Sequence, residues 1–293
     1  MSNIKLLGTG CPSPSYKRFG PSTLIQIGKK NYLFDAGSGV SQRLNQSNIK
    51  SSEIEALFIT HMHSDHIIDI YQLYISGWHQ GRIEPFKIIG PVGVRDFFET
   101  QLQAFKAELE GRKNWEARPN ELGLDYVILE IDKNYTFSDK EVKITPFEVD
   151  HKPVDPAYGF KIEFSEKGEG KKIIISGDTR KSKKLIKESL NANALVHEVF
   201  INLEFDNKRM TKKTMKNVID YHTNPNEVGE VAAEANVGKL ILTHFVPPVF
   251  DKVKLEAVVS EKYKGKIIIG EDLLNIEIYL VVSFENFLTL NIK

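Results

Sequence analysis

Apolar positions along this 293-residue chain fall in short runs that alternate with stretches of helical spacing. That alternation is the mark of a mixed α/β protein. Strands are expected at residues 4–7, 23–27 and 32–34, then a turn at 35–39 and a helix over 40–45. The turn glycines Gly37 and Gly39 permit sharp backbone conformations. Residues 56–60 predict another strand, 67–76 a helix, 86–90 a strand, and Pro91 with Gly93 open a helix running to about Leu109. The charged stretch 110–122, which carries Trp115, reads as a surface excursion. In the second half, strands are expected at 142–149, 158–164, 172–176, 194–199, 239–243 and 273–280, separated by helices at 182–190, 225–235 and 253–263.

No low-complexity segment or Ser/Gly-rich linker divides the chain, so residues 1–293 are expected to form a single domain. Residues 281–293 would be a C-terminal extension whose sequence leaves open an added strand, a dimer contact or a loosely ordered tail. Two similar halves of mixed strands and helices predict two mixed sheets face to face with helices outside, an α/β protein of the four-layer αββα sandwich type. A hydrophobic content of 41% is ample for such a core. Lys plus Arg equal Asp plus Glu at 39 each, so no global field draws the protein to nucleic acid or an anionic membrane. The single Cys11 excludes an intrachain disulfide and an all-thiolate zinc site. No charged region leads into a long apolar one at the N-terminus, and no run has the length of a membrane span. A cytoplasmic protein with no membrane association is the expectation.

The densest chemistry lies in residues 61–66, His-Met-His-Ser-Asp-His, directly after the apolar run ALFIT. Crowded imidazoles compete for hydrogen bonds and repel when protonated, whereas neutral imidazole and carboxylate suit zinc-type ions at roughly 2.0 to 2.2 Å. Other apolar runs also end in such residues: Val149-Asp150 precedes His151, IIISG precedes Asp178 and LILT precedes His244. Were these strands neighbours, the groups would meet at one sandwich edge. Residues two apart share a face in extended chain, so His61 and His63 can serve one ion while Asp65 and His66 turn to another. Together these residues suffice for two metals.

The motif HMHSDH, with Asp35, His151, Asp178 and His244 in that order, resembles the pattern of the metallo-β-lactamase-fold hydrolases. The resemblance implies that His61, His63 and His151 hold one zinc, Asp65, His66 and His244 the other, with Asp178 bridging and Asp35 supporting the ligands. Two Zn²⁺ ions are expected; Mn²⁺ or Fe²⁺ are alternatives, because His/Asp ligands select weakly among them. The segments LGTGCPSP, FDAG, SGDTR and HTNP are similar to those of the ribonuclease Z and arylsulfatase-like branch. Metallo-β-lactamases proper usually carry Cys or His in place of Asp178, which argues against antibiotic hydrolysis.

Paired ions about 3.5 to 4 Å apart lower the pKa of a shared water toward about 7 and clamp the attacking and leaving oxygens. The expected nucleophile is thus a metal-bridging hydroxide. Asp65 would orient it and accept a proton, His222 would protonate the leaving oxygen, and Glu198 would orient His222. His222 is chosen because it occupies the place of a functional histidine in the ribonuclease Z branch. His79 and His197 read as structural or surface groups. Thr60 and Thr243 precede candidate ligands, either bonded near them or as plain strand residues. The basic clusters Lys181, Lys183, Lys184, Lys187 and Lys208, Arg209, Lys212, Lys213, Lys216 read as solvated faces, the second being the better anion site. Lys17 and Arg18 sit in a loop able to meet substrate, and Tyr74, Trp78 and Phe245 form either an apolar wall or core.

The leading expectation is a hydrolase of small anionic esters, aryl sulfates or phosphodiesters. A ribonuclease Z type endonuclease acting on precursor tRNA ranks behind it, since the 26 residues between His151 and Asp178 leave no room for that branch's long tRNA-gripping arm. Balanced charge also gives tRNA modest support. A non-catalytic metal or nucleotide binder is disfavoured because every ligand type is present. A homodimer remains open as a further partnership.

Overall fold

Along the strands, neighbouring apolar residues face opposite ways, and both directions lead to buried space. A computed structural model describes residues 2–132, 135–201 and 211–278. In strand Ser2–Gly8, Leu6 points into the core between two sheets and Leu7 into the core beneath helices. The pairs Leu57 and Phe58, Ile174 and Ile175, and Leu240 and Ile241 divide in the same manner. Strands buried on both faces read as continuous apolar runs rather than as alternation. The layers are therefore helix, sheet, sheet and helix, as the sequence predicts.

Among the described residues each sheet has seven strands. The first runs in spatial order Asn275–Glu277, Ser2–Gly8, Ser22–Ile27, Lys30–Phe34, Ile54–Phe58, Phe86–Gly90 and Tyr126–Glu130. Its last four are mutually parallel, the rest antiparallel. The second runs Lys266–Ile269, Lys239–Val246, Ala194–Phe200, Glu169–Ile175, Tyr158–Glu166, Val142–Glu148 and Phe137–Ser138, its first four parallel. Aromatic rings bind the sheets together at the centre: Phe34 stacks on Phe58 at 5.0 Å, and Phe160 from the second sheet meets both edge-on at 5.3 and 5.6 Å. Such contacts add about 0.5–1.5 kcal/mol each beyond area burial.

Three expected elements differ in detail. The helix expected to end near Leu109 is two helices, Val94–Ala104 and Lys106–Glu116, broken at Phe105. The Phe105 ring leaves the helical course to stack on Tyr71 at 4.0 Å. Half of the expected surface excursion is therefore helical; it escaped notice because no residue of Lys106–Glu116 is buried, so no apolar stripe marks it. The helix expected from residue 67 is a short turn, Ser64–Ile67, followed by Ile70–His79. The final strand covers Asn275–Glu277, and the extension 281–293 lies outside the described residues. Among the described residues no helix is long and apolar enough to cross a membrane.

Candidate metal centre

Parallel strands bring their C-terminal ends to the same edge, and there the expected residues gather. His61 and His63 follow strand Ile54–Phe58, His63 caps the turn holding Asp65 and His66, His151 follows Val142–Glu148 and Asp178 follows Glu169–Ile175. His244 sits within Lys239–Val246, where the ladder slips: Glu198 faces Thr243, but Val199 faces Phe245. His244 is the extra residue of that bulge, with φ 45°, unpaired in the ladder and aimed apart from the regular alternation of its strand. Asp35 also holds a left-handed conformation, φ 61°, rare for a residue with a side chain. Gly177, φ 60°, precedes Asp178 where a Cβ would lie 2.6 Å from the Tyr158 carbonyl oxygen; only glycine fits.

Ligand atoms of His61, His63, His151 and Asp178 lie within 4.8 Å of one another, as do those of Asp65, His66 and His244. His63 Nδ1 is 2.9 Å from His61 Nε2 and 3.2 Å from His151 Nε2. Asp178 Oδ2 stands between the groups, 3.3 Å from His244 Nε2, 3.5 Å from His66 Nε2, 3.8 Å from His61 Nε2 and 3.9 Å from His151 Nε2. Asp65 Oδ2 is 3.3 Å from His244 Nε2. The structure thus brings together all of the expected ligand residues.

Outer contacts decide which ring nitrogen faces inward. Asp35 Oδ1 accepts the Thr60 backbone N–H at 2.8 Å, while Oδ2 accepts Thr60 Oγ1 at 2.9 Å and His66 Nδ1 at 2.8 Å. With its hydrogen given to Asp35, Thr60 Oγ1 accepts from His61 Nδ1 at 2.9 Å. His151 Nδ1 donates to the Tyr221 carbonyl at 2.8 Å. In the neutral rings these bonds place the hydrogen on Nδ1 and leave Nε2 of His61, His66 and His151 turned toward the cluster as the atom available to a metal. Among the described residues His66 Nε2 is buried without a hydrogen-bond partner. Converging lone pairs with an orphaned buried nitrogen are what a divalent cation satisfies, and the His/Asp donor set suits zinc-type ions. The residues fit the metal implied by their pattern.

Electrostatics favour neutral rings at His61, His63 and His151, whereas without a cation the surrounding carboxylates favour a proton on His66, which a metal ion would displace. Burial, then the charge of neighbouring histidines, pushes His61 well below the usual imidazole value. Burial also lowers His63 and His151. Burial opposes charge on His66 as well, but Asp178, Asp65 and Asp35 outweigh it and raise its pKa well above normal. Burial works against an ionised Asp178, yet His244 and His66 hold its pKa well below the carboxylate range.

His222 lies beside this cluster, its Nδ1 2.9 Å from Glu198 Oε1 and 4.0 Å from Asp178 Oδ2. Glu198 Oε1 also accepts the backbone N–H groups of Thr179 and Thr223, at 3.0 and 3.3 Å. Burial disfavours charge on His222, but the adjacent Glu198 carboxylate prevails and its pKa is raised. His197 is fully buried and bonds the Glu198 carbonyl, and His79 neighbours Arg112; neither belongs to the clustered groups.

Of the two readings for the aromatic residues, the structure selects core: Trp78 and Tyr74 are buried and bonded to the carbonyls of Asn120 and Leu124. Phe245 is fully buried with the Arg18 guanidinium 4.3 Å from its ring centre. Arg18 bonds Thr9 and the Gly270 carbonyl, so it braces its loop from inside. Lys181 is paired with Glu230 and Glu234. Lys212, Lys213 and Lys216 lie on helix Lys212–Ile219, while Lys208 and Arg209 fall outside the described residues. The residue that sequence reasoning missed is Tyr221, which acts through its backbone carbonyl on His151 Nδ1, a contact that leaves no compositional trace.

The family described as "Anti-Pycsar protein Apyc1" matches residues 2–228. The ribonuclease Z of Mycolicibacterium gilvum (strain PYR-GCK) is 33% identical over 286 residues, 95% of this chain and 97% of that protein. That of Mycobacterium marinum is 32% identical over 284 residues, covering 95% and 99%. Among solved structures, the short form of human tRNase Z superposes with TM-score 0.70 at 24% identity, over 95% of this chain and 100% of that one. The Bacillus subtilis metallo-β-lactamase-fold protein YhfI gives TM-score 0.70 at 20% identity, over 94% and 98%. These structural likenesses establish the fold; the curated relatives and the matched family establish kinship. The chain belongs to the ribonuclease Z-like branch of the metallo-β-lactamase-fold hydrolases, within the family described by Apyc1, and is a metal-dependent enzyme that cleaves ester bonds.

Proposed function

We propose that the chain is a single-domain phosphodiesterase of ribonuclease Z type that cuts an RNA phosphodiester, such as the 3′ trailer of precursor tRNA. His61, His63 and His151 would hold one divalent ion, Asp65, His66 and His244 a second, and Asp178 both; zinc suits these ligands best. Such ions act as Lewis acids on phosphoryl oxygens and make water acidic enough to supply a nucleophile at neutral pH. Asp65, beside His244, accepts the proton of the attacking water. His222, whose pKa the adjacent Glu198 raises, delivers a proton to the leaving oxygen.

The observation that carries this reading is the full-length match to ribonuclease Z relatives. The short segment between His151 and Asp178 favoured small esters. Relatives matched over 97% and 99% of their own length have no spare length for a long arm either, so its absence does not separate this chain from them. A second reading, a small phosphodiester, has one observation in its favour. A cleft of about 300 Å³ lined by Cys11, Ser13, Arg18, Ser64, Asp65 and Ile68 is of a size for one nucleotide.

The test is turnover by zinc-loaded protein of precursor tRNA, bis(p-nitrophenyl) phosphate and p-nitrophenyl sulfate. A kcat/KM for the tRNA about a hundredfold above the others, some 2.7 kcal/mol of transition-state discrimination, is expected. The reverse preference would establish the small-ester reading. No turnover of any substrate by protein holding two metal equivalents would refute hydrolysis.

A further inference from the structure

The loops that deliver Asp178, His151 and His222 leave different elements, and one residue touches all of them. Arg180, two positions after Asp178, donates its backbone N–H to the Asp150 carbonyl at 2.9 Å. Its Nη1 reaches Asp150 Oδ1 at 2.6 Å and Nη2 the Lys152 carbonyl at 3.1 Å, so it grips the chain on both sides of His151. Its Nε bonds the carbonyl of Asp220. Asp220 precedes Tyr221, whose carbonyl accepts from His151 Nδ1, and His222 follows. A planar guanidinium offers donors in a rigid fork, which an ammonium cannot reproduce.

We propose that Arg180 is a positioning residue for the metal centre, tying the loops of Asp178, His151 and His222 together so that their inward atoms converge. This inference rests on the reading of those groups as metal ligands. Its value is geometric rather than stabilising. The Arg180 and Asp150 side chains are 34% and 50% exposed, and ion pairs so open to water add little to folding. Loss of the fork should therefore be felt at the site before it is felt by the fold.

The experiment compares wild type, Arg180→Ala, Arg180→Lys and Asp150→Asn. It uses zinc titration against a chromophoric chelator, kcat and KM on bis(p-nitrophenyl) phosphate, and thermal unfolding of the metal-free proteins. Arg180→Ala is expected to weaken zinc binding about ten- to a hundredfold and to lower kcat more than it raises KM, since partners outside the ligand shell carry effects of that size. Lysine should restore little of this, Asp150→Asn should fall between, and metal-free melting should stay near wild type. Zinc affinity and kcat within about twofold of wild type would overturn the proposal. So would a loss that lysine repairs in full, or one that only tracks a fall in metal-free stability. Wild-type protein that takes up no zinc would overturn the ligand assignment as well, a result visible before any variant is made.

Discussion

Replacing Asp35 by asparagine changes one atom at a buried position and tests how the metal centre is built. Asparagine tolerates the left-handed backbone found there, so the main chain has no reason to move. The carboxylate accepts three hydrogen bonds, one on Oδ1 and two on Oδ2, from Thr60 Oγ1 and His66 Nδ1. An amide keeps one accepting oxygen and presents N–H to the other side. If its oxygen stays with the Thr60 backbone, Thr60 Oγ1 and His66 Nδ1 both face a donor. His66 then loses a charge-assisted bond or turns its hydrogen to Nε2, the atom that must be bare to bind metal. An unsatisfied buried group costs about 1–3 kcal/mol, and metal affinity should fall about ten- to a hundredfold. At 1.36 kcal/mol per decade the affinity loss is about 1.4–2.7 kcal/mol. Chelator competition measures the affinity, and urea unfolding of the metal-free protein measures the stability. An Asp35→Asn protein that matches wild type in both would refute the claim that Asp35 sets the His66 tautomer.

Glu198→Gln removes the charge that raises His222, so the alkaline limb of the pH–rate profile should move to lower pH; an unmoved limb would exclude this histidine as the proton donor. Metal-free protein should lose stability as pH falls below about 6.5. His61, His63, His151 and His197 have lowered pKa values, so below that point the unfolded chain binds protons that the folded chain refuses. The raised values of His66 and His222 stabilise the fold fully below the unfolded pKa and lose their effect only as pH rises through the folded one, so they cannot reverse this trend. Urea midpoints that rise on acidification would contradict it. Trp115 is 91% exposed, and Trp115→Ala should change monomer stability by no more than about 0.5 kcal/mol by chemical denaturation; a larger loss would reveal a contact that the single chain lacks.

Much of the architecture was legible because strands buried on both faces must be apolar throughout, and the runs before His61, Asp178 and His244 are. The candidate ligand set stood out for a different reason: three histidines and an aspartate within six positions serve no packing purpose. Helix Lys106–Glu116 was not legible, since nothing in it is buried and periodicity records only burial. The choice between wall and core stayed open in sequence because Trp78 and Tyr74 would look the same lining a cleft or filling a core; the fold places them in the core, where their polar tips find carbonyl partners. Substrate preference shifted with the relatives, as the length of one segment says what is missing but not what binds instead.

Sequence alone determined which residue types were available and that they stood at the ends of strands, because side-chain chemistry and burial periodicity are local properties. Only the folded chain decided which nitrogen of His61, His66 and His151 faces inward. That choice belongs to the Thr60 hydroxyl, the Asp35 carboxylate and the Tyr221 carbonyl, brought from distant parts of the chain. It also decided that His244 leaves its strand through a bulge and that Arg180 grips both sides of His151. These are matters of register and hydrogen-bond partnership between segments far apart in the chain, and the identity of a partner is fixed by packing rather than by neighbours in sequence.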